Sequence, residues 1–186
     1  RQEHIDQGTG EITQVQLGSP WRLETIYRVN LQTAYMAGRY QEQMANVDDR
    51  PYWQYVAVMD RRTRQTHRAL NGKVFRFDDP FWQSFYPPNG WRCRCRVRAV
   101  SGDNLKDRGQ RVEVSDGKLG TDMKVVSKKT GEMREVATYI TTDPVTLKKI
   151  TVSPDVGWSY NPGAAYQPDT SRYGGDLSSL AKKELK

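Results

Sequence analysis

Apolar residues between residues 19 and 45 recur at steps of three and four, the spacing of one face of an α-helix. Ser19 precedes Pro20, and a capping side chain followed by proline at the first helical position is typical of a helix start. The pattern therefore predicts a helix over residues 19–45 whose apolar stripe packs on the rest of the domain. The stripe consists of Leu23, Ile26, Tyr27, Leu31, Ala34, Tyr35 and Gly38.

Three later segments have the pattern of strands. Residues 52–59 (YWQYVAVM) are rich in aromatic and β-branched side chains, which predicts a buried strand. Asn71-Gly72 predicts a tight turn, and a short strand follows it over residues 73–77. In residues 92–100 (RCRCRVRAV) cysteines and apolar residues alternate with arginines, which predicts a half-buried strand that presents a row of guanidinium groups.

The other segments complete an α+β fold, with the long N-terminal helix packed on a small, mostly antiparallel sheet. Residues 78–91 (DDPFWQSFYPPNGW) predict a loop held by aromatic packing, and residues 60–68 a basic turn. Beyond residue 101, Asp-Gly, Thr-Gly and Asp-Pro pairs separate strand candidates, which predicts a β-meander. These candidates are residues 112–114, 123–127, 135–141 and 147–152.

The same pattern divides the chain into four parts. Residues 1–19 are expected to form an extended arm leading in from an upstream region, and residues 20–100 a core domain. Residues 101–153 are expected to be a β-hairpin insertion or subdomain. Residues 154–186 are expected to close the core and then run on as an extended tail that ends in a short lysine-rich helix.

Composition narrows the class of protein. The 186 residues carry a formal net charge of +7, and no run approaches the roughly 18 apolar residues of a membrane-spanning helix. The two cysteines, Cys93 and Cys95, are separated by one residue, which excludes a disulfide-stapled scaffold. Because no run of that length occurs, we expect no membrane contact.

The positive charge is concentrated between Arg50 and Arg98, where ten arginines and one lysine face three aspartates. Arginine suits bidentate pairing with phosphate or carboxylate, so the block predicts nucleic acid or an acidic protein surface as a partner. The alternative is that several of these arginines pair within the protein or lie solvated on one face. The candidate nucleic-acid-binding residues are Arg62, Arg64, Arg68, Arg92, Arg94, Arg96 and Arg98.

His67, Cys93 and Cys95 are candidate metal ligands, because a Cys-x-Cys pair in a strand directs both thiols to one face. Asp60 is a candidate fourth ligand. Zinc motifs usually show two ligand pairs, however, and this chain has one, so the sequence favours buried thiols that act as small hydrophobic groups. We therefore expect no metal and no cofactor.

Catalytic motifs are missing from the sequence, which contains neither G-x-S-x-G nor a P-loop. A nuclease-like site remains an alternative, with His67 as general base and Arg64, Arg68 or Lys73 stabilising the phosphate. A single histidine in a basic turn is more often a packed residue, so the sequence favours a protein that is not an enzyme. Four aromatic residues could stack on bases, although core packing is their favoured role: Trp53, Phe81, Trp82 and Trp91.

Five segments occur in an order that resembles the phage Mu F-like head morphogenesis, or minor capsid, family. They are TIYRVNLQTAYMAGR (25–39), RPYWQY (50–55), DRRTRQTHRALNG (60–72), FWQSFYPPNGWRCRCRV (81–97) and PDVGWSYNPG (154–163). The aromatic-PPNGW-CRC stretch is the most specific of them. The motif residues with an expected structural role are Asp60, His67, Asn71, Gly72, Pro87, Pro88, Trp91, Cys93 and Cys95, and His67 is expected to hydrogen-bond to Asp60 or to the Cys93–Cys95 strand.

The resemblance implies a minor head protein of the virion, present in multiple copies at the portal vertex of the capsid. Its implied partners are the portal protein and other head or neck proteins, with nonspecific contact to packaged DNA through the arginine-rich face. It implies a role in capsid assembly and in packaging or ejection of DNA, with the host cytoplasm as the place of assembly. Family members are also found joined to toxin domains, but the segment after Gly163 is too short to be one, which argues against a toxin. The alternative is a nuclease-like or other toxin or effector domain with a site around His67.

Overall fold

The computed structural model describes residues 2–5, 12–15, 19–127 and 129–165, and shows helices combined with three separate β-sheets. In chain order the elements are β1 (Gln2–Ile5), β2 (Ile12–Val15), α1 (Pro20–Met44), β3 (Tyr52–Val56), α2 (Gln65–Leu70), β4 (Val74–Arg76), α3 (Phe81–Phe85), β5 (Arg96–Val100), α4 (Gly102–Asp107), β6 (Val112–Glu113), β7 (Leu119–Val125), β8 (Met133–Thr142), β9 (Lys149–Val152) and α5 (Pro162–Ala165). This architecture confirms the predicted α+β class. Within those ranges, no helix is both long and apolar enough to cross a membrane.

The central sheet has four strands in the order β5-β3-β4-β6. β3 lies antiparallel between β4 and β5, with Trp53 opposite Phe75 on one side and Ala99 on the other. β6 pairs with β4 in parallel, which makes the sheet mostly antiparallel, as predicted. The strand predicted at 112–114 therefore belongs to this sheet and not to a meander. Lys73 Nζ donates to Glu113 Oε1 at 2.7 Å, and this contact ties β6 to the start of β4.

A set of aromatic side chains fills the space between α1, the central sheet and α3. Phe75 stacks on Phe81 with ring centroids 4.2 Å apart, and Trp53 meets Tyr40 edge to face at 5.5 Å. Burial of such rings is the largest apolar contribution available to a small domain. We call this set the aromatic core; it comprises Tyr40, Trp53, Phe75, Phe81, Trp82, Phe85 and Tyr86.

The aromatic core confirms that packing holds residues 78–91, part of which forms the short helix α3. It also confirms core packing for Trp53, Phe81 and Trp82. Trp91 differs, because it is 54% exposed.

Helix α1 is buried over its C-terminal half only. Met36 is fully buried, and Gln43 Nε2 donates to Val97 O at 3.0 Å. The prediction that the stripe packs on the domain is wrong, because all seven of its members are exposed. The helix packs through a different face, which contains Met36, Ala37 and Gln43, and leaves the large apolar members of the stripe uncovered. The exposed stripe, as we call these residues, consists of Leu23, Ile26, Tyr27, Leu31 and Tyr35, which are 43–67% exposed.

Two basic segments differ in detail from the prediction. Residues 60–68 are not a turn throughout, because α2 begins at Gln65. The strand predicted over 92–100 begins at Arg96, since pairing with β3 ends where Val56 faces Arg96. Gln32 Nε2 of α1 donates to the carbonyl of Cys95 at 3.3 Å and replaces a strand partner there.

The predicted meander is present as β7-β8-β9, and it packs on the aromatic core through Tyr139, whose ring lies 5.1 Å from Phe81. Helix α4, which precedes it, was not predicted. The predicted arm contains β1 and β2, which pair antiparallel. The predicted tail lies outside the described residues from residue 166 onward.

Candidate functional site

Three buried side chains with metal-binding atoms meet below the arginine-rich surface: His67, Cys93 and Cys95. His67 lies on α2, and the cysteines lie in the extended run before β5. His67 Nδ1 is 3.1 Å from Cys95 Sγ and 3.7 Å from Cys93 Sγ, and the three ligand atoms lie within 4.8 Å of one another. The predicted contact of His67 with the Cys93–Cys95 stretch is thus confirmed, whereas Asp60 pairs with an arginine instead.

The turn after α2 holds His67 in place. The backbone N–H of Ala57 donates to Asn71 Oδ1 at 2.9 Å, and the N–H of Gly72 donates to Tyr55 O at 2.9 Å. Gly72 has a φ of 83°, a left-handed conformation that favours glycine. The Asn71-Gly72 turn therefore binds the end of α2 to β3, which explains the expected structural role of both residues.

The pKa values of the two thiols are shifted in opposite directions. A hydrogen bond from Cys95 lowers the pKa of the Cys93 thiol well below its usual range, and the hydrogen bond to His67 adds to this effect against the cost of burial. The same hydrogen bond to Cys93, together with burial, raises the pKa of the Cys95 thiol. The two pKa shifts have opposite directions, so the pair loses its first proton more readily than an isolated buried thiol does.

A second layer of polar groups backs the cysteines. Tyr55 is fully buried, and its hydroxyl donates to Asn89 Oδ1 at 2.9 Å. Burial raises the pKa of Tyr55 well above its ordinary value, and charge on Cys95 and Cys93 adds to the rise. Tyr55 consequently stays neutral. The adjacent motif residues Pro87 and Pro88 are buried and joined by a cis peptide bond.

A small cavity and a large groove adjoin this cluster. The cavity has a volume of about 30 Å³, and His67, Cys93 and Cys95 are part of its wall. The groove, of about 920 Å³, runs between the N-terminal half of α1 and residues 88–94. We call it the arginine groove; it is lined by Arg28, Arg62, Arg64, Arg92 and Arg94, by Glu24, and by apolar side chains that include Leu31, Tyr35, Trp91 and Trp158.

Most arginines of the predicted nucleic-acid-binding set have partners within the protein. Arg94 makes two hydrogen bonds of 2.7 Å to the carboxylate of Asp60, and this pairing lowers the pKa of Asp60. Arg64 donates to Asp155 Oδ2 at 2.6 Å, and Arg92 to Thr25 Oγ1 at 2.9 Å.

The remaining four arginines of that set are placed differently from one another. Arg68 lies 3.9 Å from Asp143, and Arg98 hydrogen-bonds to Gln54. Arg62 is 4.0 Å from Asp60 with its side chain 85% exposed. Arg96 is exposed and has no ion pair among the described residues. Of the seven predicted residues, the structure gathers Arg62, Arg64, Arg92 and Arg94 around the groove and the cavity, and leaves Arg68, Arg96 and Arg98 outside both linings.

Residues 154–163 close one side of the arginine groove. The N–H of Asp155 donates to Asn89 O at 3.0 Å, and Trp158 meets Trp91 edge to face at 5.5 Å. A Cβ at Gly90 would lie 2.2 Å from Asp155 Oδ2, so a glycine is required where the two segments cross. The predicted core-closing segment thus also forms part of the site.

Sequence reasoning missed the carboxylates that hold the arginines in place. Asp155 lies inside a quoted motif, but its partner Arg64 is 91 positions away. Asp143 was assigned to a turn only, yet it is fully buried and accepts from Gln65 Nε2 at 2.6 Å. The N–H of Val145 and the amide of Gln65 lower the pKa of Asp143. An Asp before a proline was the only local signal.

Two known proteins are similar to this chain over most of its length. The Mu-like prophage FluMu F protein of Haemophilus influenzae is 48% identical over 172 residues, which cover 91% of this chain and 39% of the relative. The putative capsid assembly protein F of Escherichia phage Mu is 49% identical over 156 residues, which cover 84% of this chain and 35% of that protein. This chain therefore spans less than half the length of either relative.

The alignment with the Haemophilus influenzae protein includes most of residues 101–153, because it covers 91% of the chain. No solved structure matches the chain. The model of the family described as Phage Mu protein F like protein matches residues 3–98, more than half of the chain, and these residues include the arginine block and both cysteines. The resemblance carried by the motifs is thereby confirmed: the chain belongs to the Phage Mu protein F like family.

Proposed function

We propose that this chain is part of a phage head-assembly protein that associates with the portal at the capsid vertex and contacts packaged DNA through the arginine groove. The observation that carries the proposal is its 49% identity to a putative capsid assembly protein of Escherichia phage Mu. The protein would act in the virion and, during assembly, in the host cytoplasm. Its partners would be the portal protein and other head proteins.

The charge of the arginine groove supports contact with DNA. Five arginines and one acidic residue, Glu24, line it. Guanidinium groups bind phosphates without reading base sequence, which suits a protein that meets any packaged DNA. Because Asp60 and Asp155 hold Arg94 and Arg64, we assign direct phosphate contact to Arg62, whose side chain is 85% exposed, and to Arg92. We add Arg96, which is exposed and lies outside the groove lining.

The exposed stripe of α1 supports the protein-contact half of the proposal. Its five apolar side chains lie along one face of the helix, and two of them, Leu31 and Tyr35, also line the arginine groove. Contiguous exposed apolar surface of this kind marks protein interfaces. We assign the stripe to the portal protein, so portal and DNA would meet the chain on adjoining surfaces.

A structural role, rather than an enzymatic one, is favoured by the position of His67. Its side chain is buried, and its Nδ1 faces the two thiols at 3.1 Å and 3.7 Å. A general base for phosphodiester cleavage has to reach its substrate within hydrogen-bond distance. Among the residues that the structure describes, those lining the arginine groove, which would receive the nucleic acid, include no histidine.

The test is a binding experiment on this chain with its portal oligomer and with duplex DNA of arbitrary sequence, at increasing salt. The triple variant Arg62→Glu, Arg92→Glu and Arg96→Glu should weaken DNA binding at least tenfold. Its salt dependence should be shallower by about 1 for each phosphate contact removed. Portal binding should persist, because the exposed stripe is unchanged.

The matched control replaces three exposed lysines outside the groove by glutamate, and so changes the net charge by the same amount as the triple variant. These lysines are Lys106, Lys148 and Lys149. This control should bind DNA within about twofold of the parent at 0.15 M salt, where charges beyond about 8 Å are screened. Equal losses in both variants would refute the groove as a DNA site. DNA that is cleaved during the incubation would support an effector at His67 instead.

A further inference from the structure

The most specific chemistry in the described residues lies in the cluster of His67, Cys93 and Cys95, which the head-assembly proposal does not use. All three side chains are buried, at 7%, 7% and 3% exposure. The geometry points to a zinc-binding site in which His67 Nδ1 and the sulfurs of Cys93 and Cys95 are the protein ligands. This inference is independent of DNA and portal binding.

The distances between the ligand atoms match those around a zinc ion. With Zn–S of about 2.3 Å and Zn–N of about 2.0 Å, tetrahedral geometry separates a nitrogen and a sulfur ligand by about 3.5 Å and two sulfurs by about 3.8 Å. The two nitrogen–sulfur distances are 3.1 and 3.7 Å, and no pair of ligand atoms exceeds 4.8 Å. An ion placed between the three atoms therefore needs shifts of only a few tenths of an ångström in these two distances.

Separate elements hold the ligands in position before any ion binds. Burial alternates along residues 93–95, where both cysteines are buried and Arg94 between them is exposed and donates to Asp60. The carbonyl of Cys95 is bound by Gln32 of α1. Because the turn that anchors His67 is tied to β3, the site has the preorganisation that a structural or exchangeable metal site requires.

The type of ligand selects zinc among the common divalent ions. Two thiolates and an imidazole are soft or borderline donors that suit Zn²⁺, whereas Mg²⁺ and Ca²⁺ prefer oxygen. Zn²⁺ bound by two thiolates and a neutral imidazole carries no net charge. The arginines around the cavity consequently do not repel the loaded site.

The fourth coordination position faces the cavity of about 30 Å³. A water molecule needs about 10–15 Å³ of such space, so a zinc-bound water fits there. Arg62, Arg92 and Arg94 also line this cavity and supply N–H donors around that position. We therefore assign the fourth ligand to a solvent oxygen, the open arrangement seen in zinc sites with three protein ligands.

The test begins with the unaltered chain. Protein purified from zinc-supplemented cells, without chelator and with a phosphine reductant, should contain about one zinc per chain by elemental analysis. After chelation, titration with Co²⁺ alone should give one equivalent of binding, with a thiolate-to-cobalt charge-transfer band in the near ultraviolet. Zinc should displace the cobalt and abolish the band.

Cys95→Ser should remove the band, because one thiolate is lost and the remaining pair of ligands binds at least about a hundredfold more weakly. His4→Gln, which replaces the other histidine of the sequence, is the matched control and should leave cobalt binding unchanged. The circular dichroism of each variant reports whether it folds.

The inference is refuted if the parent protein contains less than about 0.1 zinc per chain and, although folded, shows no cobalt band. The cluster is then a hydrogen-bonded core element. A band that survives in Cys95→Ser but is lost in His4→Gln would place the metal elsewhere and would equally refute this site. Neither result affects the DNA-binding test, which uses residues outside the ligand set.

Discussion

The aromatic core and the arginine groove are both built largely from residues 50–98, but different physical terms hold them. In the core, rings such as Trp53 and Phe75 are fully buried and lie edge to face or stacked with their neighbours. In the groove, exposed guanidinium groups pair with single carboxylates, as Arg94 does with Asp60. Stability should therefore depend steeply on the core and weakly on the groove, whereas binding should show the reverse.

The largest expected effect comes from opening the core. Trp53→Ala should destabilise the domain by about 3–5 kcal/mol, because it removes a fully buried indole from the centre of the aromatic core. Chemical denaturation followed by circular dichroism measures the loss. Trp21→Ala is the matched control, since Trp21 is 65% exposed, and it should cost less than about 0.5 kcal/mol. Equal losses in the two variants would contradict the contrast between core and surface.

The next effect concerns the cluster that lies between the two regions. His67→Ala should lower the unfolding free energy by about 1–3 kcal/mol in the presence of a chelator, because it leaves buried thiols without their imidazole partner. With zinc in place of the chelator, the difference from the parent should widen, since only the parent gains binding energy. Unchanged stability accompanied by loss of a DNA-cleaving activity would favour the effector alternative.

The unfolding free energy measured against pH tests the polar edge of the aromatic core. Burial opposes ionisation of Glu113, but the ammonium of Lys73 and the hydroxyl of Tyr139 outweigh it, so the pKa of this carboxyl is lowered. Its stabilising contribution is therefore present above its unfolded pKa of about 4.3 and is lost as pH falls through the folded value.

Glu113→Gln should accordingly flatten the fall in unfolding free energy between about pH 5 and pH 3. Its cost at neutral pH should be about 1 kcal/mol or less, because the side chain is 30% exposed. Glu135→Gln removes an exposed carboxylate on β8 and should leave that profile unchanged. A steeper acid transition in Glu113→Gln would contradict the assigned sign.

The smallest effect is expected in the groove itself. Arg94→Lys removes the bidentate geometry toward Asp60 but keeps the charge, so it should lower the unfolding free energy slightly at low salt. The difference should vanish near 1 M salt, where screening extends to about 3 Å. Arg96→Lys, which alters no ion pair among the described residues, is the control. A loss that persists at high salt would show that the groove contributes to stability as the core does.

These contrasts also show what the sequence could and could not predict. Alternation along residues 92–98 correctly identified Cys93, Cys95 and Val97 as buried, because side-chain direction is a local property of extended backbone. Periodicity likewise predicted α1. It could not show which face of the helix the rest of the domain covers, so it predicts the exposed stripe as the packed face, whereas the helix packs through Met36 and Ala37. How far one element covers another is set by tertiary structure.

The partners of the arginines were beyond local reasoning for a similar reason. Arg64 and Asp155 are 91 positions apart, and only the folded chain brings them together. The contact of His67 with the cysteines could be foreseen, because α2 and the start of β5 both adjoin β3. Charge composition indicates an arginine-rich face, but it does not show which of the arginines line a groove or which already have a carboxylate partner.

Residues 154–163 have a consequence for the order of events during synthesis. Asp155 completes the backbone contact to Asn89, Trp158 covers Trp91, and Asn161 Nδ2 donates to Trp82 O at 3.1 Å. A ribosome releases these residues after the entire β7-β8-β9 meander, so the nascent chain holds its arginines without Asp155 until then. A translation product that stops before residue 154 lacks Trp158 from the wall of the groove, so the groove is complete only when the fold is complete.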